Sequence, residues 1–509
     1  MKHLKGLITN FYPDKDKFVR LAQNHPSVPV VAELPLDEAK SSIGIFQDLF
    51  YQCKYSFLLD SGKGGKNTGR YSFLGGTPFL YFKYQNGNTT IWKSGKALSL
   101  KSDPIKSLTT LLEEYKTSYF SYLDHFFGGG IGYFNYELVH YLDSFAGKIK
   151  KNDLHIPDIF FFFVDEIVAI DHFEKKIKFI CLAKTSERRI DQIYFNSILR
   201  LTNKINQYYS FSRKEKSLNN RKKILPGKEV FQSNVSKKEF EDMVRKAKTY
   251  INEGEIYQAN LSRRFEGGFD GDPFILFKYL QEINPSPFSA FLKFDDFYIV
   301  SSSPERLVKV RKNRIETRPI AGTKPRGLAA DQDKKLSNEL LLNEKEKAEH
   351  LMLVDLERND LGRLCEYGSV KVNEFMVLEK YSHVWHIVSN VTGKLRNDVK
   401  FDSILKACFP GGTITGCPKI RSMEIINEIE NNSRGPYTGS LGYIGFSGEM
   451  DLNIIIRTIL IKSNRAFFQV GAGIVADSKP EQEFFETYDK ARAMFTAMQK
   501  MSSFSKIPI

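Results

Sequence analysis

The stretch that most restricts the fold is Pro410 to Pro418, PGGTITGCP, with three glycines, two threonines and two prolines in nine residues. A regular helix does not tolerate that density of glycine and proline, and a central strand would lose ladder hydrogen bonds at both prolines. The chain must leave regular structure here and form a loop whose backbone can approach another molecule closely. Bare backbone N–H groups and threonine hydroxyls suit a small anion. A second glycine strip, Gly471-Ala472-Gly473, shares that property.

Before residue 210, short aromatic and β-branched runs predict strands at Tyr55–Leu59, Phe79–Tyr84 and Ile159–Ile170, with Asn86-Gly87 as a hairpin turn. A helix is expected over Pro104–Tyr119. Past residue 236, Phe240, Met243, Val244, Ala247 and Ile251 recur at helical steps and Gly254 closes the segment. Strands are then expected at Tyr257–Phe265, Phe288–Phe294, Tyr298–Ser302, Ile454–Ile461 and Ala466–Val470. Helices are expected at Lys334–Leu353, Phe401–Phe409, Lys419–Ile429 and Glu481–Met498. Strands and helices are mixed rather than alternating, which argues for an α+β fold. The polar segment 211–235 reads as a linker between regions 1–210 and 236–509.

Composition removes several classes. The longest apolar run, Ile159–Val164, is far too short to span a bilayer, and the N-terminus has no apolar signal segment. Five scattered cysteines without a C-x-x-C spacing indicate neither a zinc knuckle nor a disulfide framework, so a reducing, cytoplasmic location is expected. The net charge of +14 raises a nucleic-acid-binding alternative. The basic residues are spread out, however, and their one dense cluster, Arg213–Lys228, falls in the linker. A lysine-rich solvated surface is the preferred reading, with no nucleic-acid or membrane partner.

Four features could carry chemistry. Glu346 and Glu349, and again Glu483 and Glu486, are three apart on expected helices, with Lys490 further along the second. Such pairs either face solvent or converge on a hard cation such as Mg2+. Arg457 ends an apolar run, NIIIRT, and must be held by an internal carboxylate or bind an anionic ligand. Glu305, in SSSPERL, is either a general acid or a helix-terminal carboxylate. His386 lies among apolar neighbours, where a satisfied core histidine is the simpler reading. No Walker loop, dinucleotide fingerprint, H-E-x-x-H or G-x-S-x-G motif is present.

From about Asn252 to Lys490 the chain resembles the chorismate-utilising enzyme family. The matching stretches include GEIYQANLSRRF, SSPERL, ETRPIAGTKPRG, EHLMLVDLERNDLGR, YSHVWHIVSNV, PGGTITGCPK, GSLGYIGFSGEMD and GAGIVADSKPEQEFFET. LLDSGKGGKNTGRYSFLGG and GGGIGYFNYELVHY are similar to the companion N-terminal domain. The resemblance implies that the two regions pack their β-sheets face to face, with helices outside. It implies a Mg2+ site at Glu346, Glu349, Glu483 and Glu486, with Glu349 and Glu486 as direct ligands. Chorismate would be gripped by Thr413, Tyr437, Arg457 and Lys490 and by backbone at Gly322, Gly471 and Gly473. Glu305 would protonate the departing C4 hydroxyl, with Thr323 and His386 beside it.

Members that add water carry a lysine base where this chain has Gln258, so the resemblance implies an ammonia user served by a separate glutamine amidotransferase subunit. YQANLSRRF, DLERNDLGR and YTGSLGYI lean toward the aminodeoxychorismate type, with the anthranilate type as the alternative. Ala321 stands where many aminodeoxychorismate-type members have a lysine that attacks the ring, and Lys324 is given no such role. A tryptophan pocket is suggested at Ser61, Pro285 and Ser286, although Ser289 replaces the methionine of that motif.

Overall fold

The computed structural model describes residues 11–61, 69–142, 145, 147–186, 189–210, 231–327, 329–380 and 384–501, with only the backbone at Thr323, Pro325, Lys345 and Val384. Among the described residues two sheets, of 13 and 12 strands, form the frame, and every strand pairing is antiparallel. Each sheet draws on both sequence regions. Ser56–Asp60 pairs with Phe288–Lys293 in the first sheet, and Gly129–Phe134 pairs with Ser440–Gly445 in the second. The two regions therefore do not each supply a sheet of their own, as a face-to-face packing of separate regions would require.

Aromatic side chains fill the space between the sheets. The Phe57 ring of the first sheet is 6.0 Å from Phe162 of the second, and Phe160 is 4.7 Å from Phe294. The run expected as one strand over Ile159–Ile170 is two. Ile159–Val164 belongs to the second sheet and Glu166–Asp171 to the first, so the chain crosses the sandwich at Asp165. Asn86 and Gly87, with φ of 52° and 78°, turn the chain between Leu80–Gln85 and Asn88–Lys93.

The helix expected over Lys334–Leu353 is also two, Ala330–Leu342 and Glu344–Gly362. Asn343 leaves helical geometry and its side chain accepts the Glu346 N–H at 3.2 Å, an N-cap that starts the second helix. This break sets the orientation of Glu346 and Glu349. Helix Lys237–Asn252 begins with a Ser236/Glu239 capping box.

The interior carries protons. Glu357 and Glu449 are 4% and 9% exposed; burial and the Asp360 charge push the Glu357 carboxyl up, and burial pushes Glu449 up to about 8. Glu305 is pushed up to about 7. Above pH 6.5 the unfolded chain has lost these protons and the native chain still holds them, so native stability declines as pH rises toward 8. Buried His125 and His350, held down at about 4, act in the opposite sense only below pH 6.5. Urea midpoints should therefore be lower at pH 8 than at pH 6.5, the unfolding free energy falling by up to about 1.4 kcal/mol per pH unit for each such carboxyl. An unchanged or rising midpoint would contradict native-state protonation of these groups.

Candidate active site

The site is built on two neighbouring strands, Gln258–Gly268 and Arg465–Ile474, in which Asn260 faces Gly473 and Ser262 faces Gly471. A Cβ at Gly471 would lie 2.7 Å from the Tyr437 hydroxyl and 3.1 Å from Asn260 Nδ2. A Cβ at Gly473 would lie 2.5 Å from Gln258 Nε2. The Leu261 carbonyl, also 2.7 Å from a Cβ at Gly471, and the Tyr437 hydroxyl leave no room for a side chain there, whereas at Gly473 a side chain would have to displace the Gln258 amide. From the last helix, Pro480–Met501, Lys490 donates to the Gly471 carbonyl at 3.0 Å and pairs with Glu486 at 2.7 Å.

Glu305 lies between strands Phe297–Ser303 and Arg306–Arg311 and is 5% exposed. Burial raises its carboxyl; Thr413, the Ile320 N–H at 3.5 Å and the Lys490 charge oppose the rise but do not cancel it. The group therefore carries a proton through much of the neutral range and can give it up. Thr413 sits in the short turn Gly412–Ile414 of the glycine loop. Its buried hydroxyl faces Glu305 and has no well-aligned hydrogen-bond partner among the described residues.

Arg457 adopts φ of 51°, an uncommon conformation for a non-glycine residue. Its surface is half-buried, but the guanidinium is enclosed by protein, and burial lowers its pKa with only Tyr437 opposing. Among the described residues no carboxylate lies within ion-pair distance of it. Of the two readings left open above, an internal counter-ion is therefore not present among those residues.

His386 lies beside Arg457 and is held at about 4, first by burial and then by that positive charge. Its Nδ1 is 3.3 Å from the Gly322 carbonyl. A carbonyl can only accept, so Nδ1 carries the hydrogen and Nε2 is an acceptor. Gly322 has φ of 68°, and a Cβ there would lie 3.0 Å from Glu346 Oε2. Thr323 pairs with His386 across the sheet, while its side chain lies outside the described residues.

The four glutamates sit on helices Glu344–Gly362 and Pro480–Met501, and three of them touch residues of the site. Glu349 accepts from Gln258 Nε2 at 3.3 Å, Glu486 pairs with Lys490, and Glu346 borders Gly322. Glu483 shields one carboxylate oxygen from solvent. Their oxygen-only donors match the preference of Mg2+. Among the described residues, however, no three acids, histidines or cysteines stand close enough together to hold a metal ion.

A separate cavity of about 430 Å3 includes Ser61, Asp60, Ser289, Tyr443 and Asp451 in its walls. Pro285 and Ser286 do not line it; Pro287 and Phe288 do. Ser286 instead turns inward, its hydroxyl donating to the Asn284 carbonyl at 3.3 Å. Arg306 in the cavity wall is already held by Asp451 at 2.9 Å and Glu316 at 3.2 Å.

A family profile described as chorismate binding enzyme matches residues 55–496. The chain belongs to the chorismate-binding enzyme family. Anthranilate synthase component 1 of Aquifex aeolicus is 39% identical to it over 487 residues, covering 94% of this chain and 96% of that protein. Aminodeoxychorismate synthase component 1 of Bacillus subtilis is 40% identical over 462 residues, covering 91% and 95%. The crystal structure of anthranilate synthase component I from Streptococcus pneumoniae superposes with a TM-score of 0.73 at 34% identity, covering 91% of this chain and 98% of that one. This chorismate-binding enzyme thus shares sequence across almost its whole length with both component I types, and architecture with the anthranilate synthase component I structure.

Two supports of the site went unnoticed in the sequence. Asn260, one strand period from Gln258 and on the same face, reaches toward the Tyr437 hydroxyl at 3.5 Å; alternation along YQANLS would have pointed to it. Arg434 pairs with Glu430 at 2.7 Å and also donates to the Asn260 and Ile414 carbonyls, tying the glycine loop to the strand. Nothing in the pattern of residues 430–434 distinguishes that pair from a solvated helical one.

Proposed function

We propose that this chorismate-binding enzyme is the component I that converts chorismate and ammonia into 4-amino-4-deoxychorismate, on the way to 4-aminobenzoate and folate. The observation that carries the reading is Arg457, a desolvated guanidinium beside Tyr437 with no carboxylate partner among the described residues, in a site that also holds Glu305 with its carboxyl raised to about 7. A dianionic ring substrate supplies the missing counter-charge. Arg457 and Tyr437 hold the enolpyruvyl carboxylate, with Lys490 and the Gly471 backbone fixing the ring's position. Glu305 gives its proton to the C4 hydroxyl, the C4–O bond breaks, and water leaves. Ammonia forms the new C4–N bond, and the proton that the nitrogen sheds restores Glu305. Gln258 cannot deprotonate water, which favours ammonia as the nucleophile.

Mg2+ is part of the proposal, with Glu349 and Glu486 as ligands on the strength of their donor chemistry. Bound there, it would neutralise the ring carboxylate and draw electron density from the ring. The component 1 names of the relatives support a component II partner, which we propose to be a glutamine amidotransferase delivering ammonia.

Ala321 is buried, and Lys324 lies 3.7 Å from Glu339 on a neighbouring helix, so no covalent lysine is assigned to the ring chemistry. That observation favours the second reading, anthranilate and pyruvate as products. The purified chain, given chorismate, ammonium and Mg2+, should consume chorismate, and EDTA should stop it. Added 4-amino-4-deoxychorismate lyase should then release 4-aminobenzoate. Anthranilate fluorescence instead would establish the rival product, and no consumption would remove both readings.

A further inference from the structure

Arg263, on strand Gln258–Gly268, points into the apolar cluster beneath the last helix and is 1% exposed. Among the described residues it has no carboxylate partner, and its Nη2 is buried without a hydrogen bond. Aromatic rings stand in for a counter-ion. Its guanidinium carbon is 4.1 Å from the Phe484 ring centre, 4.2 Å from Tyr488, 4.7 Å from Phe265 and 5.9 Å from Phe240. Nε donates to Thr487 Oγ1 at 2.8 Å. An enclosed cation without an anion is an expensive way to fill a core that a methionine or leucine would fill.

What this cation offers that an aliphatic side chain cannot is direction. Phe484, Thr487 and Tyr488 occupy one stripe of the last helix. At 100° per residue, Glu483, Glu486 and Lys490 fall on the adjoining stripe. Two stacked rings and one directed hydrogen bond therefore fix the rotation of the helix that carries these three groups. Lys490 in turn holds the Gly471 carbonyl at 3.0 Å.

We infer that Arg263 is a positioning residue for the chorismate reaction, clamping the rotation of helix Pro480–Met501 so that Lys490 and Glu486 face the site. The inference rests on the proposed function, because its readout is chorismate turnover. A purely structural role predicts a different result, a lower melting point with unchanged constants in the folded fraction.

The test is R263M in the full chain, assayed with chorismate, ammonium and Mg2+ alongside thermal unfolding. Met fills the space without a charge. The melting point should hold or rise while KM for chorismate increases about tenfold or more, with kcat changing less. R263K, which keeps the charge and loses the planar stacking, should fall between the two. A folded R263M with wild-type KM overturns the inference and leaves the role of Glu305 untouched; absence of turnover in the wild type instead sinks the proposed function. Should R263M fail to fold, T487V, lacking only the accepting hydroxyl, decides by the same criterion: a raised KM supports the clamp and a wild-type KM overturns it.

Discussion

Glu305→Gln should lower the rate of chorismate amination by about 10²–10⁴-fold while leaving KM near its wild-type value. Glutamine keeps the shape of the side chain and its contact with the Ile320 N–H is replaced by one of similar length, but it has no acidic proton to give. The wild type should show the corresponding pH dependence. Glu305 must be protonated to act, and its carboxyl is raised to about 7. The kcat measured at constant free ammonia should therefore be full below that value and fall as pH rises through it. Holding free ammonia constant matters, since the nucleophile itself becomes more abundant as pH rises. Glu305→Gln should lose both the rate and the limb. A variant within threefold of wild type would show that the leaving hydroxyl takes its proton elsewhere.

Much of the fold was legible because strong local signals agreed with the tertiary structure. The Asn86-Gly87 turn, the helix after Ser236 and the departure from regular structure at PGGTITGCP each have a local cause in backbone stereochemistry. What local signals do not carry is sheet membership. In Ile159–Ile170 the charged Asp165-Glu166 pair marks a break between two apolar halves, but nothing local says that the halves serve opposite sheets. Likewise Ser56–Asp60 and Phe288–Lys293 pair over more than two hundred positions, a choice made by packing. The break at Asn343 was readable in principle as an N-cap, but the helical period runs through it on both sides.

The site divides the same way. The glycine requirement at 471 follows from close approach, which a glycine strip announces. The environments of Glu305 and Arg457 do not follow from their neighbours in sequence. Glu305 is raised by burial among segments near residues 320, 413 and 490, and Arg457 differs from an ordinary paired arginine only in lacking a partner among the described residues.

That lack has a consequence that separates function from packing. Arg457→Met should weaken chorismate use by about 100-fold or more in kcat/KM, because a charge-assisted grip on a carboxylate is lost. The same substitution should raise the melting point of the free protein. It removes a desolvated charge that has no compensating anion among the described residues, and methionine occupies similar space. The strained backbone at φ 51° does not confuse the comparison, since methionine and arginine are equally unsuited to it. An arginine held by an internal carboxylate would behave in the opposite way, because its loss strands a buried anion at a cost of about 3–5 kcal/mol. Thermal unfolding with and without chorismate measures both effects. Chorismate should raise the wild-type melting point by binding the native state and leave that of Arg457→Met unmoved at the same concentration. A destabilised variant that still responds to chorismate would mean that Arg457 serves the fold and that the substrate's carboxylate is held by another group.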